Sequence, residues 1–369
     1  MNDHPGKSPD HLTINVTHRD DPVFEVTQAD AFASVRKYPN IVVRGPLFGL
    51  AAQGRGERPR WRLLGELDTG FPQMARDELN SHLWFKAKDH TEDRDVRRSL
   101  LKAVARLEKD PVNEVTADGV RYRVVRADEF ARIGESRLEP PRATDPDEDS
   151  WDLDAPDPSR TKGFVVDHAA AVGLAEGIDR AGLLQLSYTA ARFPDDVRAD
   201  SQRALTTHPG VVILPTTFRV VERKELSWSM VTGQYATPQG ARRALVHHLT
   251  RPVPKLPDMP DMPELPAWMK VDEKEQAIHD RAAKKFMARR RPNELMVRGR
   301  RYEVVRVERV MRIGPDGPEK PRPSDTDDYG PSQIHPLMDE EGNITYSSEA
   351  SKSSKSSEDS EDSEDSEDS

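Results

Sequence analysis

Residues Asn113 to Asp147 and Asn293 to Asp327 align without a gap at an offset of 180, and 16 of the 35 positions are identical. Unrelated segments of that length would share about two residues, so the chain carries a duplicated structural unit. Duplication constrains the fold strongly, because whatever the first copy forms the second must also be able to form. The shared skeleton is Asn-Glu, then Gly-x-Arg-Tyr-x-Val-Val-Arg, Arg-Ile-Gly, Pro-Arg and two aspartates.

The likeness reaches upstream. Ala29-Asp30 and Pro39 recur as Ala199-Asp200 and Pro209, and Pro72–Leu83 shares seven of twelve residues with Pro238–Leu249. Each copy reads as a short helix and then two strands rich in β-branched residues, roughly 41–50 and 60–67, then 211–222 and 226–232. Pro72 and Pro238 each open a helix, where the missing N–H costs nothing in the first turn. The apolar stripes Ala75, Leu79, Leu83 and Ala241, Leu245, Leu249 keep an i, i+4, i+8 spacing. A second helix follows, with Val96, Leu100, Val104 and Leu107 in one copy and Ile278, Ala282, Phe286 in the other. A hairpin closes the unit, its turns containing Asp118-Gly119 and Arg298-Gly299, because glycine accepts the positive φ of a tight turn.

The expected class is α+β: two tandem homologous units, each β-β-α-α-β-β with an antiparallel sheet, plus a disordered acidic tail. The boundaries read as a disordered N-terminus over 1–20, unit 1 over 21–144, and an acidic linker with a helix over 145–190. Unit 2 covers 191–328, and a disordered Ser/Glu/Asp-rich tail covers 329–369. Unit 2 carries an insertion, 252–266, with Pro254, Pro257, Pro260, Pro263 and Pro266 at every third position. That period matches polyproline II and reads as a stiff spacer. Val165 to Tyr188 reads as largely helical.

Several chemistries are excluded. With no cysteine there is no disulfide, thiolate metal site or cysteine nucleophile. No long apolar run suggests a membrane span, and a cytoplasmic location is expected. Phosphate-loop, nucleophile-elbow and zinc-protease motifs are absent, so no catalytic residue, cofactor or metal is assigned. The clusters Asp145, Asp147, Asp149 and Asp325, Asp327 begin like calcium loops, but Pro156 and Pro336 stand where the closing glutamate would be. They read as solvated linker. His82 and His248 occupy matching helix positions and read as packed beside the apolar stripe.

Charge supplies the one asymmetry with functional content. Residues 281–312 hold twelve basic and three acidic groups, net +9, whereas 101–132 hold seven and six, net +1. The candidate nucleic-acid-binding residues are Lys284, Lys285, Arg289, Arg290, Arg291, Arg298, Arg300 and Arg301. The tail from Ser347 holds nine acids and two lysines, net −7, and could compete for the same patch.

The Gly-x-Arg-Tyr-x-Val-Val-Arg, Arg-Ile-Gly and Pro-Arg-Pro-Ser-Asp signature, clearest at 299–325, resembles an uncharacterised actinobacterial family of tandem domains. The resemblance covers both copies but not the tail, and it implies no activity, cofactor or site residue. The functional expectation is a non-catalytic protein-interaction or adaptor role with an unknown protein partner. Nucleic-acid or polyanion binding through unit 2 is the alternative, and an enzyme of unrecognised type the second.

Overall fold

The computed structural model describes residues 13–224, 227–250 and 273–346. The proline-rich insertion 252–266 and the acidic tail from 347 onward lie outside them. In chain order the first elements are α1 (Pro22–Lys37), β1 (Asn40–Gln53), β2 (Trp61–Leu63), α2 (Pro72–Asp89), α3 (Arg94–Lys109), β3 (Glu114–Ala117) and β4 (Val120–Ile133). There follow β5 (Val165–Val166), α4 (Leu174–Leu183), α5 (Asp195–Thr207), β6 (Gly210–Ile213), β7 (Thr217–Lys224), β8 (Ser227–Met230) and α6 (Pro238–Thr250). The last are α7 (Glu273–Met287), β9 (Glu294–Val297), β10 (Arg300–Gly314), β11 (Gly317–Pro318), β12 (Leu337–Met338) and β13 (Ile344–Thr345).

The architecture is mixed α and β around one large antiparallel sheet. Its main path runs β5-β2-β1-β4-β10-β7-β8. The long strands β4 and β10 meet at its centre, with Phe130 opposite Glu308, Glu129 opposite Arg309, and Asp128 opposite Val310. Alternation along these strands separates two faces. On one face Tyr122 and Val124 pack under α2 and α3, and Tyr302 and Val304 under α6 and α7. On the other, Val125 and Ala127 join Trp61, Leu63, Val212 and Met311, while Val305 and Val307 join Val221 and Leu138. The hairpin turns follow the expected chemistry: Asp118-Gly119 and Arg298-Gly299 have positive φ at both central positions.

Several elements differ from expectation. The run 211–222 splits into β6 and β7 because Pro215 has no amide with which to continue a ladder. Val165 and Val166 leave the expected helix to pair with β2, so only α4 is helical in that region. Near the N-terminus, Val16 forms a parallel bridge with Val172. Residues 329–346 lie across α2 and α3 rather than in solvent: Trp84 Nε1 donates to Pro336 O at 3.1 Å, and Met338 and Ile344 pack on the core. The insertion is flanked by helix ends that stay together, since Gln276 Nε2 donates to Leu249 O at 3.0 Å. The spacer reading of the insertion itself falls on residues outside the described ones.

Of the aspartates expected in solvated linkers, Asp145, Asp147 and Asp325 are less than 10% exposed and Asp327 is partly covered, while Asp149 stays exposed. α2 has no side-chain cap of its own at Phe71, and Asp327 supplies one from far along the chain, accepting from Gln73 N at 2.5 Å and Arg76 at 2.7 Å. Asp147 does the same for α6, accepting from Gln239 N at 3.0 Å and Arg242 at 2.8 Å. Asp325 meets Arg126 at 3.0 Å and Asp145 meets Arg306 at 3.4 Å. Most of these carboxylates are nearly inaccessible, and each is satisfied by charge-assisted hydrogen bonds.

Candidate functional site

The two outer hairpins of the sheet end differently. Ala51 faces Leu63 in one, and Val221 faces Met230 in the other. The outer edge of β2 is closed by β5: Trp61 pairs with Val166, Leu63 N donates to Phe164 O at 2.9 Å, and Gly163 N donates to Leu63 O at 2.8 Å. Trp61 and Leu63 are fully buried as a result. β8 is the last strand of its side, and its outer edge has no strand partner among the described residues. Met230 there is 43% exposed and Val42 38% exposed.

Beneath β8 lies a groove of about 310 Å³. Val221, Val305, Val307, Ala131 and Leu138 form its floor, with Trp228, Met230 and Val42 as walls. At one end Glu129 binds both Arg44, at 3.4 Å, and Arg219, at 2.9 Å, so two cations share one carboxylate. Arg223 and Lys224 sit opposite Trp228 and Ser227, and no carboxylate among the described residues lies within ion-pair range of either. The site thus combines a strand edge without a partner among the described residues, an apolar slot and one exposed cation, Arg44, at its end.

A second cavity, of about 480 Å³, opens beside α2. Leu50, Leu64, Met74 and Phe85 contribute apolar wall, and Glu66, Asp77, Glu78 and His82 contribute titratable groups. Partial burial and the nearby Asp68 charge push the Glu78 carboxyl up to about 7. Burial and Glu66 raise Asp68, while burial and Lys86 lower His82. Asp77 is engaged by Tyr329 Oη at 2.8 Å. His82 packs against Tyr122 and His248 against Tyr302, each at about 6 Å between ring centroids, on different helices.

The basic residues singled out in the sequence fall into two sets. Arg291 binds Asp149 at 2.8 Å, Arg298 binds Glu275 at 3.3 Å, Arg300 approaches Glu222 at 3.9 Å, and Arg301 binds Glu303 and Glu294 at 2.8 and 3.0 Å. Those four are largely neutralised. Lys284 and Lys285 in the last turn of α7, with Arg289 and Arg290 just beyond, are exposed and have no ion pair among the described residues. Phe286 and Tyr302 are buried and give this surface no aromatic platform among the described residues.

The groove was missed in the sequence because its parts come from five separated stretches. No helix among the described residues is long and apolar enough to cross a membrane, and among them no cluster of three metal-ligating side chains occurs. Neither the curated proteins nor the solved structures contain a match to this chain. The family model that does match spans residues 21–328, from the start of α1 to just beyond Asp327, and by that match the chain belongs to DUF5954, a family of unknown function.

Proposed function

We propose that this chain is a non-catalytic protein-interaction protein, built from two related units, 21–144 and 191–328, that share one sheet. The central register supports the two-unit reading. Under the 180-residue offset Asp128 corresponds to Glu308 and Phe130 to Val310, and the observed pairs are Phe130 with Glu308 and Asp128 with Val310. Such a register is symmetric about Glu129 and Arg309, as a pseudo-twofold between copies requires. The aspartate caps are reciprocal in the same sense, with Asp147 on α6 and Asp327 on α2.

The observation that carries the interaction reading is the open β8 edge above an apolar groove, where the corresponding edge of the other unit is closed by the chain itself. An exposed strand edge beside apolar surface is a template for pairing, and proteins that do not use one usually blunt it. The test is affinity capture from the parent cells with the wild-type chain and a Met230→Asp variant. A partner retained by the wild type and lost by the variant supports the reading, and an identical set of captured proteins removes it.

A second reading, polyanion binding, rests on Lys284, Lys285, Arg289 and Arg290, which have no ion pair among the described residues. Positive side chains at a helix C-terminus are stabilised by the macrodipole, which is a structural reason for part of this charge. Filter binding of a short duplex at low salt, with all four changed to Gln, tests it directly.

A further inference from the structure

We propose that the β8 edge and its groove accept an extended peptide strand from another protein, apolar at its centre and acidic at its flank, pairing antiparallel with β8. This rests on the interaction reading above and names the partner's chemistry. The first support is the chain's own solution at the corresponding edge. Gly163-Phe164-Val165-Val166 lies antiparallel to β2, exchanging backbone hydrogen bonds with Leu63 and burying Val166 to 3% exposure. Trp61 and Trp228 take the same place in their hairpins, as do Leu63 and Met230. The outward backbone groups on β8 are therefore those of Trp228 and Met230.

The second support is the shape of the vacant side. Val221, Val305 and Val307 are buried at the groove floor, while Met230 and Val42 are open at its mouth. A β-branched or aromatic side chain from an added strand would fill the slot, and alternate side chains would face solvent. The third support is charge. At one end of the groove Arg44 is 41% exposed while its carboxylate partner Glu129 is 3% exposed and is shared with Arg219. A peptide acidic beside its apolar centre complements that end, and the chain's own closing strand continues into Asp167.

The probe is a fluorescent peptide with the sequence of residues 163–168, blocked at both ends so that Asp167 is its one full charge, titrated in trans onto the full-length chain and read by anisotropy. Saturable binding, weakened at least about tenfold by Met230→Asp and by Val42→Asp in variants that keep the wild-type melting curve, is the expected result. The same peptide carrying Asp in place of its Phe should lose binding to a similar degree, and Arg44→Ala should steepen no salt dependence but flatten it. Binding that is indifferent to Met230→Asp overturns the proposal, as does no binding to the wild type. Concentration-dependent dimerisation abolished by Met230→Asp also overturns it, since the occupant is then a second copy. If capture from cells depends on Met230 while the peptide fails to bind, the interaction reading stands and only the strand chemistry is lost.

Discussion

Replacing Asp147 by Ala should destabilise the protein more than the same change at its counterpart Asp327. Asp147 accepts from Arg242 Nη1 at 2.8 Å and from Gln239 N at 3.0 Å, and the two side chains are 7% and 1% exposed. Removing one partner of a buried pair leaves the other uncompensated, a loss of about 3–5 kcal/mol. Arg242 keeps hydrogen bonds to Pro292 O, Gln239 Oε1 and Asn293 Oδ1, which places the expected loss at the lower end, about 3 kcal/mol. Asp327 makes the corresponding contacts to α2 but is 25% exposed, so water replaces part of what Asp327→Ala removes, and about 1.5–2 kcal/mol is expected. Urea unfolding of both variants, followed by far-UV circular dichroism, gives the comparison. Pairing Asp147→Ala with Arg242→Met should recover part of the loss, because the stranded guanidinium is gone. If Asp147→Ala loses less than about 1 kcal/mol, or less than Asp327→Ala, the argument from burial fails.

Glu78 gives a pH signature. Its carboxyl is raised to about 7, so the folded state binds a proton more tightly than the unfolded state, whose carboxyl titrates near 4.5. Stability should therefore fall as pH rises between those values, and Glu78→Gln should remove that slope and be the more stable form above pH 7. Unfolding curves at pH 5 and pH 8 decide it, and an unchanged slope in the variant refutes the assignment. Gly317 has φ +108°, and an added Cβ would lie 2.2 Å from Trp61 Nε1, so Gly317→Ala should lose at least about 2 kcal/mol by thermal melting. Deleting residues 347–369 removes a charge of −7 and should tighten duplex binding at low salt if Lys284, Lys285, Arg289 and Arg290 form a polyanion site. Equal binding by both forms ends the competition idea, and no binding by either ends the polyanion reading.

Much of the local structure was legible because it is written in short-range chemistry. Pro72 and Pro238 start α2 and α6, and the two Gly-containing turns close β3–β4 and β9–β10. The spacing of Val96, Leu100, Val104 and Leu107 gives α3 its buried stripe, of which Leu100, Val104 and Leu107 are fully inside. Contacts between distant stretches were not legible. Asp147 and Asp327 look like solvated linker in sequence because their partners, Arg242 and Arg76, lie 95 and 251 residues away. Arg126 and Arg306 gave the same difficulty: a retained arginine looks like a surface charge until Asp325 and Asp145 are placed beside it. Val165-Val166 fits a helix by its neighbours and becomes a strand only because the edge of β2 is there to pair with. The groove likewise joins residues far apart in the chain, from Val42 to Val307, which is why the basic patch was visible in the sequence and the β8 edge was not.

Amide hydrogen exchange on the full-length chain compares the two edges directly. In the free protein Leu63 should exchange slowly, since its amide donates to Phe164 O, whereas Trp228 and Met230 should exchange fast at an unpaired edge. Adding the 163–168 peptide should slow Trp228 and Met230 and leave Leu63 unchanged. Slow exchange at Trp228 and Met230 in the free chain would mean that the β8 edge is already closed, and would contradict the account.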